Sequence, residues 1–379
     1  MSGPLEGVVV VELAGLGPAP FCGMVLADLG AEVIRVDRRD GAALPIGSDG
    51  GDLLNRGKKS VAVDLKSADG AGVVLRLVES ADALIEGFRP GVAERLGVGP
   101  ETCLARNPGL VYGRMTGWGQ AGPMSAMAGH DIDYIALSGA LHSIGPAERP
   151  VPPLNLVADF GGGGMVLAMG VLAAIIRVRA GGVGQVVDAT MVDGSALLMA
   201  SHHGFLAEGW WAESRESNLL DGGAPFYTTY ETAEGGHVAV GALEPQFFAA
   251  LTDGLDLDSG QVGPQYDRDR WPEMQRLFAD RFATRTRDDW AEHFDGTDAC
   301  VAPVLSMTEA RAHEHNLARG TFVEVGGVSQ PAPAPRFSAT PAEIDRPPPS
   351  PGSDGDDVLT AAGFSPEEIV MLRESGAIA

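Results

Sequence analysis

Residues 7–36 read GVVVVELAGLGPAPFCGMVLADLGAEVIRV, and this stretch decides the fold. Gly7–Leu13 is a short β-branched run and Glu32–Val36 is another; between them Phe21–Leu29 is helix-compatible and stops at Gly30. Strand, helix and strand within roughly thirty residues make a βαβ unit, whose right-handed crossover sets the two strands parallel. The pattern continues. Ser60–Leu65 predicts a strand, Ala68–Ser80 a helix, Ala83–Glu86 a strand, Val92–Leu96 a short helix and Leu110–Arg114 a strand. This alternation predicts an α/β fold built on an open, Rossmann-like parallel sheet. Ligands of such sheets collect in the loops that follow the strands, here residues 14–20, 37–59, 87–91 and 115–134.

Further along, Met165–Ala180 predicts a long apolar helix, Gly181-Gly182-Val183-Gly184 a turn and Gln185–Ala189 a strand. After Gly222-Gly223 the texture changes. Phe226–Glu231 and His237–Ala242, joined through Glu234-Gly235-Gly236, predict a β-hairpin, and helices are expected around 246–255, 271–283, 287–295 and 307–317. The expected organisation is a large domain over 1–221, a smaller α+β domain over 222–320 and a return to the large domain over 321–379. Within that return, Pro331–Pro351 reads as an extended connector. Ser365 as N-cap, Pro366 in the first turn, Glu368 completing a capping box and Gly376 as the stop predict a terminal helix.

Composition narrows the function classes. The 379 residues are 45% apolar and 21% charged, too apolar for a disordered chain and long enough for two or three domains. Lys and Arg total 27 against 51 Asp and Glu, a net charge of −24. Such a field repels phosphate backbones and anionic lipid, so neither nucleic acid nor a membrane is an expected partner. An anionic ligand must be held by a few placed cations. Cys22, Cys103 and Cys300 are far apart and odd in number, which favours a reducing compartment over a disulfide framework. The N-terminal residues lack the pattern of a secretory signal, and Ser375–Ala379 lacks a peroxisomal address. The apolar run Met165–Ile176 reads as a buried helix too short to span a bilayer, and a cytoplasmic location is the expectation.

Several constellations carry chemistry. Gly15-Leu16-Gly17-Pro18-Ala19-Pro20 makes a poor dinucleotide loop, because the third glycine is missing and two prolines remove donors. Asp37 sits where such folds contact a ribose, yet Arg38 and Arg39 follow, and an Arg there matches a phosphomonoester of the kind NADP and coenzyme A carry. Arg56, Lys58, Lys59 and Lys66 form a basic cluster around the third strand, and Arg89 and Arg95 follow the fourth. Singly each reads as a solvated surface charge; together they favour an anionic ligand. Gly129-His130-Asp131-Ile132-Asp133-Tyr134 offers either a structural histidine or a general base oriented by its neighbour. Asp159-Phe160-Gly161-Gly162-Gly163-Gly164 runs into the apolar helix. Its backbone N–H groups at a helix start could meet an oxyanion, or Asp159 could simply cap a flexible loop. Glu244 ends a strand before a helix, as a cap or a site carboxylate. His202-His203 and His313-Glu314-His315 lack further ligands at metal spacing, so no metal is expected.

Longer motifs in order resemble the family III coenzyme A transferases (CaiB/BaiF type). They are LEGVVVVEL at 5–13, ADLGAEVIRVD at 27–37, NRGKKS at 55–60, EGFRPG at 86–91, GQVVD at 184–188 and the helix within Ser365–Ile378. Within that family, MTGWGQ at 115–120, AGHDI at 128–132, PPLNLVADFGGG at 152–163, DGGAPFY at 221–227 and EPQF at 244–247 resemble the branch that racemises 2-methylacyl-CoA thioesters. The transferases use an aspartate like Asp159 as nucleophile but usually lack the histidine of the Gly-His-Asp motif. The resemblance therefore implies His130, paired with Glu244, and Asp159 as two bases. It implies that Arg38, Val63, Asp64, Leu65, Lys66, Gly87, Phe88, Arg89, Arg95, Gly129, Asp131 and Tyr134 bind coenzyme A, which is part of the substrate, no separate cofactor being required. It also implies an interlocked homodimer, with sites between the large domain of one chain and the small domain of the other. Asp133, and Gly57-Lys58-Lys59, depart from the racemase pattern.

Inversion at a carbon next to a thioester needs a base on each face: one removes the proton, an enolate forms, and the other returns a proton from behind. An imidazole near its ordinary pKa of ~6.5 and a carboxyl raised above ~3.9 by burial would start in opposite protonation states. The enolate oxygen needs donors as well, at Gly161–Gly164 or in the Gly129–Asp131 loop. The alternatives are a coenzyme A transferase acting through an Asp159 anhydride, an NADP-dependent dehydrogenase and a silent acyl-CoA-binding protein.

Overall fold

A computed structural model describes residues 3–39 and 51–379. Residues 40–50, inside the expected ligand loop 37–59, lie outside the described residues. Two compact units divide the chain: Met1–Ser138, Leu154–Leu198 and Leu317–Ala379 form the first, and Gly139–Pro153 with Met199–Asn316 the second. Residues 139–153 and 199–221 thus go with the second unit, not with the large domain expected over 1–221. One side chain explains much of this. Arg215 donates to the carbonyls of His142, Pro146 and Ala147 at 2.9–3.0 Å, tying the two segments together.

In the first unit the β-branched runs form six parallel strands: β1 (Val9–Leu13), β2 (Glu32–Arg38), β3 (Lys59–Val63), β4 (Ala83–Glu86), β5 (Val111–Thr116) and β6 (Gln185–Thr190). Their order is β3-β2-β1-β4-β5-β6. The order reverses between β1 and β4, which opens the ligand crevice beyond the ends of those two strands. The helices are α1 (Pro18–Asp28), α2 (Ala68–Leu77), α3 (Val92–Arg95), α4 (Pro100–Arg106), α5 (Asp131–Leu137), α6 (Val166–Arg179) and α7 (Met191–Leu198). α1 starts three residues earlier than the pattern predicts, because Pro18 and Pro20 fall in the first turn, where a missing N–H costs nothing. Val11, Leu13, Val36, Val61, Leu84 and Tyr112 bury the sheet's faces, each at most 2% exposed.

The helix expected over 165–180 begins much sooner. Leu156–Met165 is a π-helix that continues into α6, giving 24 helical residues, Leu156–Arg179. By length and composition this stretch is long and apolar enough to cross a membrane, contrary to the sequence reading of a shorter run. It packs on β5 and β6 and against α1 and α7, the position of a core helix. Gly162 and Gly194 permit one of these contacts. A Cβ on Gly194 would lie 1.8 Å from the Gly162 carbonyl oxygen, so neither position accepts a side chain.

β3 is the outer strand, and its free side is occupied. Ser60 N–H donates to Asp354 and the Ser60 carbonyl accepts from Asp354 N–H; Ala62 O accepts from Ala379 N–H, and Asp64 N–H donates to Ala377 O. The return segment also carries a hairpin, β10 (Phe322–Val325) with β11 (Val328–Pro331), before the extended connector.

The second unit holds α8 (Ala200–Ala207), the antiparallel strands β7 (Tyr227–Glu231), β8 (His237–Gly241) and β9 (Val301–Pro303), and α9 (Pro245–Gly254), α10 (Ser259–Val262), α11 (Trp271–Phe282) and α12 (Arg287–Phe294). Phe226, Phe278, Phe282, Trp290 and Phe294 form an aromatic core on the inner face of this sheet. The helix expected over 307–317 is two, α13 (Met307–Ala312) and α14 (Glu314–Arg319), broken at His313. After the connector come α15 (Gly355–Ala361) and α16 (Pro366–Glu374), the latter capped by Ser365 and Glu368 as the sequence predicts.

Candidate active site

His130 is the N-cap residue of α5, exposed, with extended backbone. Its N–H donates to the Asp133 carboxylate at 3.0 Å, which fixes the turn that delivers the imidazole. Beside it, Asp131 is buried, and its Oδ2 accepts the N–H groups of Ala158 and Asp159 at 2.7 and 2.8 Å. The carboxylate thus caps the π-helix and ties the residue next to His130 directly to Asp159. Asp131 Oδ1 is buried without a partner.

Asp159 stands half-buried in the first turn of the π-helix. Burial pushes its carboxyl above the ordinary range, as does the nearby Asp131; a hydrogen bond from Asn155 at 3.0 Å and the field of His130 act the other way. His130 and Asp159 therefore lie within each other's electrostatic reach. Gly17, in the loop after β1, has φ +67 and brings its Cα so close that a Cβ would lie 3.3 Å from Asp159 Oδ2. Phe21 of α1 rests against Phe160, ring centroids 4.7 Å apart, so the switch-point loop and the π-helix pack as one body. Asn155 went unassigned in the sequence reading. Its signal was the spacing of four to Asp159, which in a helix puts the two side chains on one face.

Gly161–Gly164 do not lie at a helix start as expected. They sit inside the π-helix, Gly162–Gly164 buried against α1 and α7. The glycines serve close packing, so this run does not aim free N–H groups at a substrate. The other expected donor site, the Gly129–Asp131 loop, opens α5, whose first N–H groups have no helical acceptor by position. Tyr134 braces that loop. Its buried hydroxyl donates to the Gly129 carbonyl, and its ring meets Trp118 edge-on at 4.7 Å. Burial, then Asp159 and Asp133, push the phenol up to about 12 against the opposing charge of Arg89. Arg89 thus reaches the same neighbourhood as His130 and Asp159.

The residues expected to bind coenzyme A fall into two groups. Arg38, Lys66, Gly87, Arg89 and Arg95 are exposed after the ends of β2, β3 and β4, with Leu65 and Phe88 partly buried beside them. Val63 is 2% exposed and belongs to the core, so it can offer a ligand only backbone. Asp64 turns inward on its own loop, accepting from Lys66 N–H at 3.0 Å. Asp131, Tyr134 and partly buried Gly129 form the second group around His130.

Most of the basic cluster read as a phosphate site is used inside the fold. Arg56, 3% exposed, forks onto Asp28 at 2.6 and 3.0 Å and also donates to Gln330 and the Pro331 carbonyl. Lys58, wholly buried, donates to Glu12 at 2.6 Å, to Asn55 and to the Pro20 carbonyl. Lys59 pairs with Glu32 at 2.6 Å. Only Lys66 of the four stands free for an anion. Asp37 likewise does not face a ribose: it is 5% exposed, accepts from Ser60 Oγ at 2.6 Å and pairs with Arg35 at 3.0 Å. Glu244, in the second unit, is the exposed N-cap residue of α9 and makes no side-chain bond to that helix.

A sequence model of CoA-transferase family III matches residues 5–355. The chain is 51% identical to the alpha-methylacyl-CoA racemase of Mus musculus over 372 residues, covering 97% of this chain and 96% of the relative. It is 48% identical to that of Homo sapiens over 373 residues, again 97% and 96%. Among solved structures it resembles a CaiB/BaiF family protein from Brucella suis with TM-score 0.81 and 25% identity, covering 96% of this chain and all of that one.

Proposed function

Because the chain belongs to CoA-transferase family III, with mouse and human relatives that bear the racemase name, we propose that it racemises 2-methylacyl-CoA thioesters by 1,1-proton transfer. The observation that carries this reading is the link through Asp131: one buried carboxylate holds the backbone N–H of Asp159 and flanks His130. Two proton carriers, an imidazole and a carboxyl, are thereby tied to one another through the residue between them, Asp131, and its bond to the Asp159 peptide.

His130 and Asp159 are the two bases, each facing one side of the α-carbon. Burial raises the Asp159 carboxyl and so favours its protonated form, which suits the partner that donates while the imidazole accepts. Asn155 keeps the Asp159 carboxyl from rotating away from the carbon it serves. The N–H groups that open α5 meet the thioester oxygen as it gains charge, and losing one such donor typically costs about 10²–10³ in rate. Glu244 orients His130, delivered from a second copy of the chain in an interlocked homodimer. Arg38, Lys66, Arg89 and Arg95 hold the phosphates of coenzyme A, and no separate cofactor takes part in the proton transfers.

His130→Ala abolishes uptake of deuterium from heavy water into a 2-methylacyl-CoA, measured by mass spectrometry, while coenzyme A binding persists. Full exchange in that variant overturns the assignment. The transferase reading is favoured by the carboxyl of Asp159, which is only half-buried. It requires thioester exchange that depends on an added acid and an acyl adduct on Asp159 trapped by hydroxylamine.

A further inference from the structure

The segment that follows β4, a loop running into α3, carries two exposed cations, Arg89 and Arg95, and a network rooted in buried Glu86 and Arg114 grips it at the residue beside each of them. Glu86, the last residue of β4, is wholly buried, and both of its carboxylate oxygens are engaged. Oε2 accepts the N–H of Phe88 at 2.6 Å, one residue before Arg89. Oε1 accepts Arg114 Nε at 3.0 Å from β5, where Glu86 and Arg114 are cross-strand partners. The two remaining nitrogens of Arg114 fork onto Glu94 at 2.8 and 3.3 Å, one residue before Arg95. Arg114 is itself 6% exposed.

A buried ion pair is a weak source of stability, since desolvation offsets most of the attraction and a packed apolar pair often does as well. What it supplies is direction. Apolar side chains at 86 and 114 would fill the same space but would fix neither the Phe88 peptide plane nor the Glu94 carboxylate. We propose that Glu86 and Arg114 are positioning residues, which set the angle of the 87–95 loop so that Arg89 and Arg95 meet the phosphates of coenzyme A together. This rests on the reading of that loop as a coenzyme A site. It adds a sensitivity to protons. Burial, only partly offset by Phe88 N–H and Arg114, raises the Glu86 carboxyl to about 7. The groups facing it are Arg114 and Tyr112 from β5 and Glu94 from α3. An acid with a raised pKa is charged above that value and neutral below it, so the clamp weakens as pH falls from 8 toward 6.

Calorimetric titration with free coenzyme A tests this. At pH 8, Glu86→Gln binds about tenfold more weakly than the wild type, and the gap closes at pH 6, where the wild type also lacks the charge. Arg114→Lys, which keeps the charge and loses the fork, falls between. In the racemisation assay Glu86→Gln raises KM more than it lowers kcat. Equal affinities at pH 8 overturn the clamp; a gap that stays constant with pH overturns its proton sensitivity. A wild type that fails to bind coenzyme A overturns the reading of the loop, and the clamp with it. If Glu86→Gln does not fold, Glu94→Gln, at a half-exposed carboxylate, carries the test: a threefold weakening supports the clamp and unchanged affinity overturns it.

Discussion

The cations before β3 and those after β4 look alike in the sequence and do opposite work in the fold. Arg56, Lys58 and Lys59 crowd into four residues, yet each is paired with a carboxylate, and the first two are buried. Arg89 and Arg95 are sparse and exposed. The difference lies in which end of a strand each set occupies. Ligand crevices of parallel sheets open beyond the carboxyl ends of the strands, so a cation entering a strand faces the structural side and one leaving it faces the ligand. Density of charge along the chain says little; position relative to the strand says much.

Three substitutions can break or sharpen this contrast. The largest effect is expected at Lys58. Lys58→Met leaves buried Glu12 with only Arg35, at 4.0 Å, against its charge, which costs about 3–5 kcal/mol, read as a lowered urea midpoint. Adding Glu12→Leu recovers most of that loss, because what costs stability is a buried charge left unpaired, not the absence of the pair. Next, Arg89→Ala leaves the midpoint where it is and weakens coenzyme A binding roughly tenfold or more, the scale of a charge-assisted contact, measured by calorimetry. If Arg89→Ala destabilises and Lys58→Met instead abolishes binding by folded protein, the division fails. The smallest effect belongs to Lys66, where Lys66→Ala weakens binding about two- to threefold. As an exposed single charge its contribution shrinks further when ionic strength rises from ~0.01 to ~0.15 M.

The sheet was legible because periodicity and β-branched runs report burial directly, and all six strands of the parallel sheet fall within about two residues of their expected places. Strand and loop order also set His130 in the expected loop 115–134 after β5, whereas Asp159, read as leading a glycine loop into the apolar helix, lies inside the π-helix. Two things were hidden. Ionic partners that are far apart in sequence, such as Lys58 with Glu12 or Arg56 with Asp28, leave no local trace. Nor does a π-turn, since its hydrophobic pattern is that of an ordinary helix; Gly161–Gly164 read as loop because glycine weakens helices, whereas here neighbouring backbone supplies the compensating contact. Asp131 illustrates the limit most sharply. Beside His130 it reads as the group that orients a base, and the family resemblance implies a coenzyme A contact, yet its Oδ2 is spent on the peptides of Ala158 and Asp159.

The outer flank of β3 deserves a last inference. A strand at the rim of a sheet ordinarily displays a row of vacant amides and carbonyls, an open invitation for a foreign strand to join. Here alternate peptides at Ser60, Ala62 and Asp64 are already claimed by Asp354, Ala379 and Ala377. The rim next to Arg38 and Lys66 is therefore already occupied along its backbone and refuses to be extended by another polypeptide.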